Sequence, residues 1–213
     1  MANIKTHCCG ADLLFDEKTA KKQYKNYLKK GPSKVTKRLI EQLSSQYIGK
    51  TLLDVGGGIG ALQWWFLNNN GDSTIGVDAS SGYIKLATEH AVKSGLKDKT
   101  SYILGDFTQA ASALPKVDTL TLDKVICCYP NYKDILETAS EKANVIALSY
   151  LMDGIIASAF RSLGVLYMKV KNNPFRPYVH KVSEVRSTMQ SLGYSRTNHN
   201  LSFPWNIETY VKA

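Results

Sequence analysis

Long hydrophobic runs are scarce in this 213-residue chain. The longest, LMDGIIASAFRSLGVLYM, is interrupted by Asp153 and Arg161 at what would be membrane depth, which excludes a spanning segment. The opening stretch, MANIKTHCCGADLLFDEK, lacks the apolar centre of a secretory signal, so a soluble cytoplasmic protein is expected. Cysteine is sparse as well. Its four residues form two adjacent pairs, Cys8-Cys9 and Cys127-Cys128, whereas zinc sites space their thiolates two to four residues apart. No metal is therefore expected, and the thiols read as reduced side chains filling small spaces. Repeats and low-complexity tracts are lacking. With 44% hydrophobic residues, what remains is one sizeable core with extensions.

Acidic residues are few at both ends. Residues 1–50 hold 11 basic and 4 acidic side chains, residues 51–160 hold 8 and 12, and residues 161–213 hold 8 and 2. Basic flanks around an acidic middle suit three kinds of partner: nucleic acid, an anionic small molecule, or an acidic membrane surface met peripherally.

From Thr51 onward, short β-branched runs alternate with helical patterns, the mark of βαβ units in a parallel sheet. TLLDV, STIGVD, TSYILGD, VDTLTLD and NVIALSYL read as five strands. ALQWWFLNNNG, GYIKLATEHAVKSG and YKDILETASEKA read as helices, the second capped by Ser80 or Ser81. FTQAASALPK, between the third and fourth strands, marks its helix poorly. A long apolar helix reaches about Val170, and SEVRSTMQSLG is another. YSRTNHNLSF and WNIETYVKA meet near Pro204, too close for a helical crossover, and predict an antiparallel hairpin. Upstream, EKTAKKQYKNYLKK and SKVTKRLIEQLSSQY are amphipathic helices broken at Gly31-Pro32. The expectation is an α/β, Rossmann-like, seven-stranded and mostly parallel sheet. Its last strand is antiparallel, helices cover both faces, and a helical N-terminal extension or lid (1–49) precedes the main domain (50–213).

The most informative stretch is LLDVGGGIGAL, Leu52 to Leu62. Its glycines fall in the first βα turn, at the carboxyl edge of the sheet where open α/β folds leave a crevice. Lacking Cβ atoms, they let a ligand approach the bare backbone, and the following helix offers unpaired N–H groups. A glycine-rich turn alone is shared with dinucleotide-binding domains. Three carboxylates narrow it: Asp54 before the glycines, Asp78 ending the second strand, and Asp106 ending the third in GDF. A carboxylate at the second strand's end can accept both hydroxyls of a ribose. One at the third can accept from the exocyclic amine of adenine while Phe107 packs on the ring.

Through LLDVGGGIG, GVDAS, GDF and TLDKVICCYP, residues 50–150 resemble the class I S-adenosylmethionine-dependent methyltransferases. The resemblance implies S-adenosyl-L-methionine as cofactor, held by Asp54, Gly56, Gly57, Gly58, Asp78, Ala79, Asp106, Phe107 and Asp123. In it Asp54 holds the glycine loop and the methionine amino group, Asp78 the ribose, Asp106 the adenine, and Asp123 borders the methionine moiety and the acceptor. The flanks, including Tyr178-Val179-His180 before a helix ending in LGY, are similar to those of magnesium-protoporphyrin O-methyltransferases and related small-molecule enzymes. That likeness casts His180 as an acid/base group beside Tyr178, with Tyr27 lining a lid; packing roles are the alternative for each. The expected function is in-line methyl transfer to a small, anionic or aromatic acceptor. An RNA methyltransferase is the alternative, weakened because CCYPNY lacks the adjacent prolines of a base-reading tetrapeptide. A non-catalytic S-adenosylmethionine-binding module is the other.

Overall fold

A computed structural model describes residues 6–46 and 48–213. Its centre is a seven-stranded sheet in the order β3-β2-β1-β4-β5-β7-β6. The strands are β1 (Thr51–Val55), β2 (Ser73–Asp78), β3 (Thr100–Leu104), β4 (Val117–Asp123), β5 (Ala143–Leu151), β6 (Tyr194–Ser202) and β7 (Trp205–Lys212). The first five run parallel, and β7 is antiparallel to both its neighbours, β5 and β6. Strand order reverses between β1 and β4, which opens a crevice at their carboxyl ends.

Helices cover both faces. On one, α3 (Lys34–Ser44) packs on β5 and β7 and α4 (Ala61–Asn68) lies beside it on β1 and β2, with Leu39, Leu43, Leu62, Ala147 and Ile207 buried together. On the other, α7 (Tyr132–Ser140) and α9 (Val182–Ser191) bury Ile135, Leu136, Val185 and Met189 against β1, β4 and β5. Helix α5 (Ser81–Lys93) starts at a Ser80 cap, whose hydroxyl accepts from Tyr83 N, and α2 (Glu17–Lys30) packs along it through the fully buried Ala20. The weakly marked link between β3 and β4 is a single turn, α6 (Phe107–Ala110), followed by a 3₁₀ turn.

One element was not legible: α1 (Thr6–Leu14). Its sequence, THCCGADLL, carries small residues instead of an apolar stripe, because it lies against backbone. A Cβ on Gly10 would fall 2.5 Å from Phe175 N. Helix α8 (Ile155–Val170) and the segment 171–181 complete the chain before α9.

A buried carboxylate fastens the antiparallel end of the sheet. Glu208 on β7 is fully buried and accepts from Tyr150 (2.8 Å), Tyr210 (2.6 Å), Arg186 (2.7 Å) and Arg196 (2.9 Å). Burial alone would raise its pKa, but these four donors more than offset that and hold it below the usual carboxylate range. The network joins β5, β6, β7 and α9 through one side chain. Removing one member of such a buried set leaves the remaining charges unpaired. Glu208→Ala should therefore cost about 3–5 kcal/mol in a urea titration, with the larger loss than from exposed Glu184→Ala.

Candidate active site

A cavity of ≈ 900 Å³ occupies the crevice between β1 and β4. Its floor is the glycine turn. The turn needs glycine for two separate reasons: Gly56 and Gly58 have φ of +63° and +57°, and a Cβ on Gly57 would lie 2.5 Å from Asp54 Oδ2. The loop is thus wrapped tightly over the Asp54 carboxylate.

The strand register explains how that carboxylate is held. Asp54 stands opposite Gly76 on β2 and Thr121 on β4. Thr121 Oγ1 donates to Oδ1 at 2.6 Å. Gly76 leaves the space in which Gln63 sits, and Gln63 Nε2 donates to Oδ2 at 3.4 Å. Asp54 is nevertheless fully buried with no cation paired to it among the described residues, and burial pushes its carboxyl up to about 7, with the two hydrogen bonds pulling partly back. Asp78, at the end of β2, accepts from Gly58 N (2.9 Å) and Ser80 N (2.8 Å). Burial raises it to about 6 against those bonds. Two poorly compensated carboxylates in one wall suit a ligand that brings positive charge and hydroxyl donors.

Asp123, at the end of β4, also faces the cavity. Ser149 Oγ donates to its Oδ1 (2.5 Å) and Thr36 Oγ1 to its Oδ2 (2.6 Å). Lys124 follows in the left-handed region (φ +63°), and its Nζ lies 3.1 Å from Ser33 Oγ and 3.5 Å from Asp123 Oδ2. Opposite the sheet, α1 and α2 supply a wall that includes Phe15, Gln23, Asn26, Tyr27 and Lys30. That wall is latched to the start of α5: Ser80 Oγ donates to Phe15 O (2.6 Å), and Ser81 donates from both N and Oγ to Asp12 Oδ1 (2.8 and 2.9 Å).

Of the residues singled out in the sequence, Asp54, Gly56, Gly57, Gly58, Asp78, Ala79, Phe107, Asp123 and Tyr27 line the cavity. Three do not. Asp106 is turned into the protein, where its Oδ1 caps α6 through Thr108 N (2.9 Å) and accepts from Tyr129 Oη (2.9 Å); Gly105 and Phe107 present that strand end instead. His180 lies off the cavity wall, with Nε2 3.0 Å from Ile126 O and 3.1 Å from Tyr129 O. A nitrogen facing two carbonyls must donate, so Nε2 carries a proton and cannot accept one. Tyr178 is stacked on the His180 ring at 6.2 Å, and its N–H donates to Cys127 O. His180 and Tyr178 thus brace the loop after β4 and lie outside the cavity lining.

Several wall residues were not foreseen, among them Thr36, Tyr83, Lys124, Phe175 and Trp205. Their contacts join segments far apart in sequence, as Thr36 and Asp123 do, so local pattern gave no signal. Cys8, Cys127 and Cys128 line the cavity too, while the Cys9 side chain lies outside the described residues. The Cys128 thiol is pushed well up by its bond to Cys127 and by burial, so it is protonated at neutral pH. Among the described residues no group of three or more His, Cys, Asp or Glu side chains could hold a metal ion.

The family described as a methyltransferase domain matches residues 53–143. Magnesium protoporphyrin IX methyltransferase from Synechocystis PCC 6803, crystallised with bound SAH, superposes with a TM-score of 0.68 at 18% identity, covering 84% of this chain and 82% of that one. An O-methyltransferase family 2 protein from Planctomyces limnophilus DSM 3776, in complex with apigenin, gives 0.66 at 17% identity over 92% and 62%. An O-methyltransferase family protein from Burkholderia thailandensis gives 0.70 at 10% identity over 93% and 60%. No curated protein sequence matches the chain. Residues 53–143 thus resemble a methyltransferase domain, and the chain as a whole shares the fold of these methyltransferases.

The raised carboxylates make a prediction for the unliganded protein. A group whose folded pKa lies above its unfolded value contributes stability at low pH that is lost as pH rises through the folded pKa. For Asp54 the window runs from about pH 4 to about pH 7. Asp54→Asn removes that loss, so the variant should be more stable than wild type by a few kcal/mol at most at pH 7.5, the difference shrinking toward pH 4. The quantity to measure is the difference between the two denaturation curves, since His90 and His180, depressed by burial, titrate in the opposite sense in both proteins. An equal gap at every pH would show that Asp54 does not titrate in this range.

Proposed function

We propose that the enzyme transfers a methyl group to an O, N or S atom of a small acceptor bearing anionic or aromatic groups. The observation that carries this reading is the division of the cavity into two unlike walls. One is glycine and carboxylate, formed by the β1, β2 and β4 ends. The other mixes lysine, amide and aromatic side chains from Gln23, Asn26, Tyr27, Lys30, Lys34 and Trp205. A volume of ≈ 900 Å³ is near the upper end for ligand sites and leaves room for two partners.

S-adenosylmethionine, when bound, supplies a methyl already activated on a sulfonium. The chain's own task is to bind and orient. In this reading Asp78 takes the ribose hydroxyls with lone pairs left over from Gly58 N and Ser80 N. Asp54 holds the glycine turn and the methionine amino group, whose positive charge compensates the buried carboxylate. Phe107 and Gly105 pack the adenine, with Asp106 positioning them from behind. Asp123, fixed by Thr36 and Ser149, borders the acceptor. Productive transfer then needs nucleophile and methyl carbon held ~3–3.5 Å apart, and the N-terminal helices act as the lid that excludes water.

A polyanionic acceptor such as RNA is the second reading, and one observation favours it. The outer face of α2 carries Lys18, Lys22, Lys25 and Lys29 at helical spacing around a shallow depression. Tight, steeply salt-dependent binding of RNA would select it.

Calorimetry with S-adenosylmethionine, S-adenosylhomocysteine and NADH tests the cofactor site. The first two should bind and the third should not; the reverse result would sink the reading. Asp78→Ala should weaken cofactor binding about 10- to 100-fold, as expected for lost hydrogen bonds to a charged group. Methyl transfer to carboxylate- and phenol-bearing acceptors, assayed by S-adenosylhomocysteine release, tests the acceptor class. Turnover on RNA alone would overturn it.

A further inference from the structure

Helix α8 departs from the rule that the apolar face of a surface helix turns inward. In its second half, Gly164 is the point of contact with the body of the protein: an added Cβ would lie 3.5 Å from Pro177 Cγ. Val165 and Met168, on that side, are half-buried. The helical repeat places Leu163, Leu166, Tyr167 and Val170 on the opposite side. They are exposed at 64%, 59%, 56% and 72%. Single exposed apolar side chains are ordinary, but four at i, i+3, i+4 and i+7 form a continuous stripe.

Two further observations say what covers it. The tip of the β6–β7 hairpin exposes Phe203 at 67%, and Met152 N donates to Pro204 O at 2.8 Å, so this tip is tied to the segment leading into α8. From residue 154 to 180 the chain carries four basic side chains, Arg161, Lys169, Lys171 and Arg176, and no acidic one, while Lys181 just beyond pairs with Glu184. An apolar stripe within a purely cationic segment calls for a partner that is both apolar and anionic. At 16 residues, α8 is too short to cross a bilayer, and no described helix is long and apolar enough to do so.

We propose that α8, together with the tip of the β6–β7 hairpin, is a docking surface for an anionic lipid bilayer. The helix lies in the interface plane, the stripe toward the acyl chains and the lysines and arginines at the headgroups. Leu151 before α8, and Phe175 and Pro177 after it, line the cavity, so docking sets the cavity rim at the lipid surface. The inference holds whatever the methyl acceptor is.

The test is co-sedimentation of the whole protein with phosphatidylcholine vesicles, with and without about one-third phosphatidylserine, at low and high salt. Binding should be at least about tenfold stronger to the anionic vesicles and weaken at high salt. Leu166→Glu with Val170→Glu should abolish it, and Lys169→Gln with Lys171→Gln should weaken it by roughly fivefold per charge. S-adenosylmethionine binding should be unchanged in both variants, which shows that they are folded. No binding to either vesicle, or equal binding by wild type and the glutamate variant, overturns the proposal. So does self-association in light scattering that disappears in the glutamate variant without any vesicle binding, since it assigns the face to a second copy.

Discussion

The structure turns on a carboxylate placed where water cannot reach it. Asp54 lies within the run of buried positions on β1, Leu52 to Val55, under a turn whose glycines have no side chains to separate it from the cavity. Its neighbours in the sheet are chosen accordingly: Thr121 supplies a hydroxyl from β4, and Gly76 makes room on β2 for the amide of Gln63. Those are neutral donors, which stabilise an anion less than a cation would. The site therefore stores an unmet demand for positive charge at the point where strand order reverses and the crevice opens. The glycine turn, the register of three strands and the start of α4 all follow from keeping that carboxylate in place.

The wall facing it is assembled from the other end of the chain. Helix α3 belongs to the sheet's own packing, through Leu39 and Leu43 against β5 and β7. Helices α1 and α2 are attached differently, by polar latches at the start of α5 and by aromatic contacts such as Phe15 with Tyr83 at 5.7 Å and Tyr27 with Trp64 at 5.2 Å. Thr36 on α3 reaches Asp123, and Lys124 reaches Ser33, so this side of the cavity is held by contacts between the basic N-terminal flank and the end of β4. Lys124 accepts a left-handed backbone to do so, a conformation that costs a non-glycine residue on the order of 1 kcal/mol. Such strain persists where surrounding contacts over-determine it, here the two bonds from Lys124 N to Ser149.

This division explains what could be read from the sequence. The sheet was legible because each strand is a short β-branched run between turn residues, and the antiparallel hairpin because its two runs sit too close for a crossover. Asp54, Asp78 and Phe107 were legible because a parallel sheet brings its strand ends to one edge without any need to know the side chains around them. Asp106 was misplaced for a related reason. A carboxylate at a strand end can face the crevice or cap the following helix, and the choice is made by Tyr129, 23 residues away, whose hydroxyl draws it inward. His180 shows the same limit. A likeness of its flank to those of small-molecule methyltransferases cast it as an acid/base group, but its Nε2 and the Tyr178 N–H are committed to the main chain of the loop after β4. Helix α1 escaped notice because it packs through Gly10 against backbone, and no apolar periodicity is required for that.

Glu208 and Asp54 make the clearest contrast between structure and function in this fold. Both are fully buried carboxylates on strands paired on both sides. Glu208 is surrounded by two arginines and two tyrosines, all its lone-pair directions are served, and it stays ionised below the usual range. Asp54 has two neutral donors and is driven up to about 7. Evolving an arginine beside Asp54 would relieve the cost, as it does for Glu208, but would fill the crevice and cancel the charge. The difference in solvation between these two residues thus separates the end of the sheet where a buried carboxylate ties four elements together from the end where a buried carboxylate faces the crevice with only neutral donors among the described residues.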